Sequence, residues 1–309
     1  MSRIKLGTRG SALALAQATL TEQALARDFP DIEISQEVFI TRGDKKLDLS
    51  LIRSSEAGGK GLFTKELEDA LLAGTIDVAV HSLKDLPGHQ PDGLQLTAVL
   101  ERAPTADVLI TKEPIRFDDL PKGAIVGTSS VRRARQIRLL REDVGIEEWR
   151  GNVQTRLRKL NERQDVTGII LAEAGLRRLG FQWSDGPLLC DAGAFFAISL
   201  GELLLPAIGQ GAIALQSRLE DPVTNAFLSR VNHLETWTCI RAERELQRLL
   251  SGDCSLPVGV RTRLWGTALE MSVILFGAEG DPPATASVKG AANSPETVAQ
   301  ELFRKLSAS

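Results

Sequence analysis

The chain has 309 residues, 43% of them hydrophobic and 25% charged, enough apolar material for about two or three globular domains. A formal net charge of −3 argues against a dedicated nucleic-acid binder, and with aromatics at 5% and no Tyr there is little from which to build a base-stacking platform. No apolar run reaches the ~18 residues of a membrane span, and the stretch Met1 to Gly10 lacks the apolar run of a secretory signal, so a cytoplasmic location without a membrane partner is expected.

In chain order, Ile4 to Gly7 predicts a short strand and Thr8-Arg9-Gly10-Ser11 a turn, with Ser11 as the N-cap of a helix that runs to about Asp28 and stops before Pro30. Ile32, Ile34 and Val38 alternate with polar residues, the period of a strand. Thr64 to Leu72 reads as a helix ended by Gly74, and Ile76 to Val80 as a buried strand. This β-α-β-α-β order points to an α/β domain with a substantially parallel sheet. After a Pro-containing stretch, Pro104 to Pro121, the pattern restarts. Ala124 to Val126 is a strand, Val131 to Glu142 a helix, the region of Glu148-Trp149 a strand, Val153 to Glu162 a helix and Gly168 to Ala172 a strand, followed by a short helix through Arg178. The segment Phe181 to Leu203 carries no pattern that assigns it to either state.

Beyond it, Leu205 to Ala212 leads into the apolar run Ile213-Ala214-Leu215, and Asp221-Pro222 reads as a boundary. The remainder predicts a helix over Thr236 to Leu250, a Gly/Cys/Pro loop over Gly252 to Gly259, strands, and a final helix over Pro295 to Leu306. Two tandem α/β lobes imply a cleft between them, a usual place for a ligand.

Arginines recur where helices begin. Thr128-Ser129-Ser130-Val131-Arg132-Arg133, Arg150-Gly151-Asn152-Val153-Gln154-Thr155-Arg156 and Thr8-Arg9-Gly10-Ser11 all follow strands. A cation there opposes the helix dipole at a cost of roughly 0.3–1 kcal/mol, which a bound carboxylate or phosphate would offset. The alternative is a solvated basic face, which the neighbouring Glu142, Asp143, Glu147 and Glu148 favour for Arg138 and Arg141.

His81-Ser82-Leu83-Lys84-Asp85-Leu86-Pro87 follows a buried strand, and ligand groups gather at such strand ends. Asp85 is either a cleft carboxylate that stabilises a cation or exchanges protons, or half of a surface pair with Lys84. Gly58-Gly59-Lys60-Gly61-Leu62-Phe63-Thr64 is not a phosphate-binding P-loop, because Gly61 follows Lys60; it is either an anion-contacting or a plain flexible loop. The cysteines Cys190, Cys239 and Cys254 form neither a disulfide framework nor a zinc set, and His81, His89 and His233 are too scattered for a metal site, so no metal is expected. Cys254 lies in a turn-rich loop, where a thiol is more exposed than in a core run, but chemistry alone does not single it out.

In order along the chain these motifs resemble the porphobilinogen deaminase (hydroxymethylbilane synthase) family. They include Thr8 to Ser11, Thr-Arg-Gly-Asp at 41–44, the glycine loop at 58–63, His81 to Pro87, Gly127 to Arg133, Arg150 to Arg156, Ala174 to Gly180, Leu205 to Ala212 and the Cys254 loop. Each is weak alone; the ordered set is specific. The resemblance implies an α/β fold with two lobes like type II periplasmic binding proteins and a small α+β third domain. The domains would be residues 1–103 with 205–220, then 104–204, then 221–309.

It further implies a transferase that condenses four porphobilinogen molecules head to tail, each losing ammonia, and releases hydroxymethylbilane by hydrolysis. The cofactor would be dipyrromethane, a pair of linked pyrroles held by a thioether to Cys254. Every pyrrole carries an acetate and a propionate, which would account for the arginines. Arg9, Arg132, Arg133, Arg150, Arg156 and Arg178 match the family's carboxylate-binding arginines, with Ser11, Ser82, Thr128, Ser129 and Ser130 as hydrogen-bonding helpers. Asp85 matches the family's catalytic carboxylate, which assists deamination and stabilises the resulting cation; Lys84 and Lys60 are its charge partners. A monomer acting on a small molecule is implied, with no nucleic-acid partner.

Three positions depart from the family pattern. Glu56 stands where many relatives carry lysine, Ala106 removes the second arginine of an E-R-x-D-P-R-D-like segment, and Glu173 is unusually acidic before Ala174-Gly175. Glu56 and Ala106 motivate a degenerate deaminase that binds pyrroles and turns over poorly. Two other readings fit parts of the chain: a bilobal solute-binding protein, which leaves the third domain unexplained, and an RNA binder using Arg132 to Arg163, against which the interspersed acids weigh.

Overall fold

The computed structural model describes residues 3–40, 64–250 and 257–307. The first lobe opens with β1 (Arg3–Arg9), α1 (Ala12–Asp28), β2 (Glu33–Phe39), α2 (Lys65–Leu72), β3 (Val78–Ser82), a 3₁₀ turn (Leu83–Asp85) and β4 (Leu94–Val99). The chain then crosses to the second lobe: β5 (Asp107–Thr111), β6 (Ile125–Gly127), α3 (Val131–Leu140), β7 (Gly145–Glu147), α4 (Val153–Glu162), β8 (Gly168–Ala172), α5 (Glu173–Arg178), β9 (Gly186–Cys190) and β10 (Gly193–Ser199). It returns as β11 (Ile213–Arg218) and α6 (Pro222–Val231), and ends with α7 (Leu234–Leu249), β12 (Val258–Trp265), β13 (Ala268–Leu275), β14 (Ala284–Ala291) and α8 (Pro295–Ser307).

The first sheet has the order β2-β1-β3-β11-β4. Its first three strands are parallel, as the β-α-β alternation requires, but β11 runs antiparallel to both β3 and β4. The expectation of a substantially parallel sheet therefore holds for one half only. A strand that returns from another lobe is not bound by the right-handed crossover of a βαβ unit. Ile4, Leu6, Val78, Val80, Ile213 and Leu215 form the core beneath α1. Leu228 and Val231 of α6 enter the same core. That helix was assigned from sequence to the third domain; Asp221-Pro222 is in fact a helix start, with Asp221 Oδ1 accepting from Thr224 N at 3.0 Å and Pro222 at the first turn.

The second sheet has the order β7-β6-β8-β5-β10-β9. The strand expected near Glu148-Trp149 ends at Glu147, and Trp149 is buried in the core of this lobe instead. The unassigned segment is an antiparallel hairpin, β9–β10, at the sheet edge. Its Leu189 is 74% exposed, so apolar residues fall on both faces and no period-two signal survives. In the third domain, β12-β13-β14 form an antiparallel meander whose inner face packs Val260, Met271 and Val273 against Leu246 of α7 and Val298 and Leu302 of α8.

Candidate functional site

The chain leaves β3 at Ser82 and turns at once into the 3₁₀ turn carrying Lys84 and Asp85. Leu83 and Leu86 are buried with Ala212, Ala214 and Ile240, while Lys84 and Asp85 between them stay half-buried. Leu83 N donates to Ala212 O at 3.1 Å. Gly209, with φ of +71°, lies against Leu83 where a side chain would not fit, so the returning segment can lie close beneath the turn. Behind it His81 is buried against Gln216 Oε1 at 3.0 Å, and burial pushes its pKa down to about 4, so the ring is neutral.

Across from this turn stands a carboxylate that sequence reasoning did not assign. Asp107, the first residue of β5, is buried between two guanidiniums. Arg133 Nε and Nη2 donate to its Oδ1 at 3.0 and 2.7 Å, and Arg132 Nη1 lies 2.8 Å from its Oδ2. Gln210 Nε2 adds a hydrogen bond to Oδ1 at 2.9 Å. Burial alone would raise the pKa of Asp107, but the charges of Arg132 and Arg133 hold it far below the carboxylate range. The two arginines at the start of α3 thus have an internal counter-ion, which explains how that helix tolerates them. Each also reaches main chain: Arg133 Nη1 donates to Ile170 O at 2.9 Å and Arg132 Nη1 to Leu205 O at 2.6 Å. Its sequence signals were an Asp opening an apolar strand and its place as the last residue of the E-R-x-D-P-R-D-like segment.

The other arginines divide. Arg156 and Arg178 are half-buried, and no carboxylate pairs with either among the described residues. Arg156 Nε donates to Gly151 O at 2.7 Å and Arg178 Nη2 to Gly211 O at 2.6 Å, neighbours that carry no charge. Burial, and for Arg156 also the charges of Arg133 and Arg150, lowers both to about 10, still cationic at neutral pH. Arg150, by contrast, is paired with Glu148, its Nε 2.9 Å from Oε1. Arg9 stands near enough to His81 for its charge to disfavour protonation there. Arg141 is chelated by Asp143 at 2.8 Å, the solvated ion pair expected of it.

Lys84 connects the lobes electrostatically. Burial lowers its pKa to about 8; the charges of Asp85 and Asp107 oppose that shift, while those of Arg133 and Arg132 add to it. Lys84, Asp85, Asp107, Arg132, Arg133 and Arg156 therefore share one field where the two lobes meet, with Arg178 joined through Gly211 and the adjoining Ala212 that holds Leu83.

The hydroxyls are mostly engaged by the fold. Ser11 Oγ accepts from Ala14 N at 3.2 Å and Ser130 Oγ from Arg133 N at 3.4 Å as N-caps, which leaves each hydroxyl proton for donation. Thr128 Oγ1 accepts from Ser130 N at 3.2 Å. Ser129 Oγ donates to Trp149 O at 2.5 Å, and Ser82 exchanges hydrogen bonds with Gln17 at 2.8 and 3.1 Å. Lys60, Glu56 and Cys254 lie outside the described residues. Glu173, a departure from the family pattern, sits in the first turn of α5 and accepts from Arg177 Nε at 2.7 Å, a favourable place for an acid. Among the described residues, no group of three or more His, Cys, Asp or Glu could hold a metal, and no helix is long and apolar enough to cross a membrane.

The family profile described as "Porphobilinogen deaminase, dipyromethane cofactor binding domain" matches residues 4–226, and "Porphobilinogen deaminase, C-terminal domain" matches residues 237–308. The chain belongs to the porphobilinogen deaminase family. It is 40% identical over 306 residues to the porphobilinogen deaminase of Syntrophomonas wolfei, covering 99% of this chain and 95% of that one. To the porphobilinogen deaminase of Syntrophobacter fumaroxidans it is 41% identical over 303 residues, covering 98% and 94%. Among solved structures it is similar to the periplasmic aliphatic sulphonate binding protein SsuA of Escherichia coli at 15% identity, covering 81% of this chain and 71% of that chain with a TM-score of 0.39. In this porphobilinogen deaminase family member, the matched cofactor-binding region spans both lobes and therefore all the crevice residues just described.

Proposed function

We propose that the crevice is the active site in which this chain condenses porphobilinogen units head to tail, with loss of ammonia, to hydroxymethylbilane. One observation carries the reading: Arg156 and Arg178 are half-buried cations without a carboxylate partner among the described residues, Arg178 bonded next to the residue that holds Leu83 of the Lys84–Asp85 turn and Arg156 within reach of the charge of Arg133. A desolvated guanidinium without a counter-ion is a net cost to the fold unless a ligand supplies the anion. Porphobilinogen and its oligomers supply two carboxylates per ring.

Dipyrromethane fits the same residues: its carboxylates match Arg156 and Arg178, with the Ser11 and Ser130 hydroxyls as donors and Cys254 as the thioether anchor. When bound, it supplies electron-rich pyrrole rings tethered to the protein. The chain's own residues do the rest. As the C–N bond of porphobilinogen breaks, the electron pair leaves with nitrogen and positive charge develops on the pyrrole methylene. Asp85 stabilises that charge and accepts the α-carbon proton released when the next C–C bond forms. Lys84, cationic below about pH 8, and Lys60 hold substrate carboxylates nearby. Arg132 and Arg133 share Asp107 as a single counter-ion, which leaves one net positive charge in this wall, and Arg9 and Arg150 extend it. The reading includes a cytoplasmic monomer; light scattering of the purified protein checks the oligomeric state.

Intact-protein mass spectrometry tests the assignment. The protein purified from a porphobilinogen-producing host is expected to carry a dipyrromethane adduct that maps to the Cys254 peptide. An unmodified Cys254, together with no uroporphyrin after incubation with porphobilinogen and oxidation, would leave a binding protein in place of an enzyme.

A pH dependence follows from Lys84. Its folded pKa lies below the unfolded value, so it loses its charge as pH rises through about 8. KM for porphobilinogen is expected to rise across that range, and Lys84→Arg to flatten the profile, because Arg stays charged there. A KM profile that is the same in both proteins would remove Lys84 from substrate binding.

A further inference from the structure

The turn that carries Asp85 is held from the third domain. Arg244 lies on α7, and its guanidinium donates to three successive carbonyls just past Asp85: Leu86 O at 3.3 Å and Pro87 O at 2.6 Å from Nη1, and Gly88 O at 3.1 Å from Nη2. Gln247, one turn further along the helix, accepts from the same Nη1 at 3.3 Å. Ile240, Glu243, Arg244 and Gln247 form one stripe of α7 at helical spacing, and the whole stripe faces the first lobe. Ile240 packs on Leu83 and Leu86, which flank Lys84 and Asp85. Glu243 fixes the helix in place by accepting from Arg102 Nη1 at 2.6 Å and from Gly209 N at 2.8 Å.

The Asp85 turn has little rigidity of its own. It is a single 3₁₀ turn of three residues, closed by Leu86 N donating to Leu83 O at 3.0 Å. Pro87 brings no N–H with which to tie the segment back to the sheet. A planar guanidinium spanning three carbonyls fixes both the position and the direction of the chain leaving Asp85, which a single lysine donor cannot do. Arg244 reaches the turn through the main-chain carbonyls that follow Asp85.

We propose that Arg244 is a positioning residue for the reaction, holding the Asp85 carboxylate in register with the substrate cation from the third domain. The inference rests on Asp85 acting as in the proposed function. A displacement of about 1 Å in a catalytic group is enough to cost on the order of 100-fold in rate. The contact bears on chemistry more than on substrate binding, because Arg156 and Arg178 lie on other elements and Lys84 stands before Asp85, further from the carbonyls of Leu86, Pro87 and Gly88 that Arg244 holds.

The test compares Arg244→Ala, Arg244→Lys and Asp85→Ala, each with steady-state kinetics, melting temperature and intact mass. For Arg244→Ala we expect kcat to fall ~10–100-fold, with KM for porphobilinogen within about twofold and the adduct mass retained. Guanidinium ion added at about 10 mM should restore part of that kcat and none in Asp85→Ala. Arg244→Lys should fall between Arg244→Ala and the parent. The proposal is overturned if Arg244→Ala keeps its kcat, if KM alone changes, or if kcat and melting temperature fall together without guanidinium rescue. Should Arg244→Ala fail to fold, a fully active Arg244→Lys would overturn it and a slowed, stably folded one would support it. Normal turnover in Asp85→Ala would instead remove the reading of Asp85 on which the inference stands. A dead Asp85→Ala beside a normal Arg244→Ala sinks the inference alone.

Discussion

Asp85→Ala is expected to lower turnover of porphobilinogen by ~10²–10⁴-fold while leaving the melting temperature nearly unchanged. The size follows from the two tasks proposed for one carboxylate, stabilising a cation and accepting a proton. The small effect on stability follows from its surroundings: Asp85 is half-buried and takes part in no ion pair between the lobes among the described residues, while the turn around it is anchored by Leu83, Leu86 and main-chain hydrogen bonds. Single-turnover deamination, read as ammonia release, measures the effect directly. Near-normal release in the variant would take Asp85 out of the mechanism.

Asp107→Ala should have the opposite profile, a large loss of stability before any question of rate arises. It would leave Arg132 and Arg133 buried side by side without their shared counter-ion and would strip Gln210 of an acceptor. Removing one partner of a buried ion pair costs about 3–5 kcal/mol, which corresponds to a fall of roughly 10 °C in the apparent melting temperature. Asp107→Asn, which retains an acceptor oxygen, should lose less. The pH dependence has a definite sign. The pKa of Asp107 is depressed in the folded state, so its contribution is present above the unfolded carboxylate value near ~4 and is lost as acid carries the pH down toward the folded value. The loss of Asp107 should reach the site as well, because its charge helps keep Lys84 protonated. A variant that melts within about 2 °C of the parent would show that the two guanidiniums find solvent or other partners.

Much of the local structure was legible because it depends on short-range chemistry. Ser11 caps α1 as its type and position predict, while Ser130 and Asp221, read as part of a turn and as a boundary, cap α3 and α6 in the same way, by accepting from the backbone three residues on. The helices α1, α3, α4, α7 and α8 lie within a few residues of their expected bounds. The β9–β10 hairpin was not legible, since an edge hairpin with apolar residues on both faces breaks the alternation on which strand assignment depends. Nor was the direction of β11, whose neighbours come from far earlier in the chain.

The candidate site divides in the same way. The arginines, Lys84 and Asp85 stood out from their places after strands and at helix starts, and the ordered motifs identified the family. Which of those arginines has charge to offer a ligand was decided only in three dimensions. Arg132 and Arg133 share one carboxylate, Asp107, Arg150 is paired with Glu148, and Arg156 and Arg178 with no carboxylate among the described residues. A charge that looks the same in every motif acquires its meaning from its counter-ion. Counter-ions here arrive from other strands and helices; Asp107 precedes its two arginines by about 25 residues and meets them only because β5 and α3 pack together. Amino-acid order determined where cations, caps and turns occur along this protein, since those preferences act within a few residues. Folding determined which charges are neutralised and which remain for a ligand, since electrostatic interaction depends on distance through space and on exclusion of water.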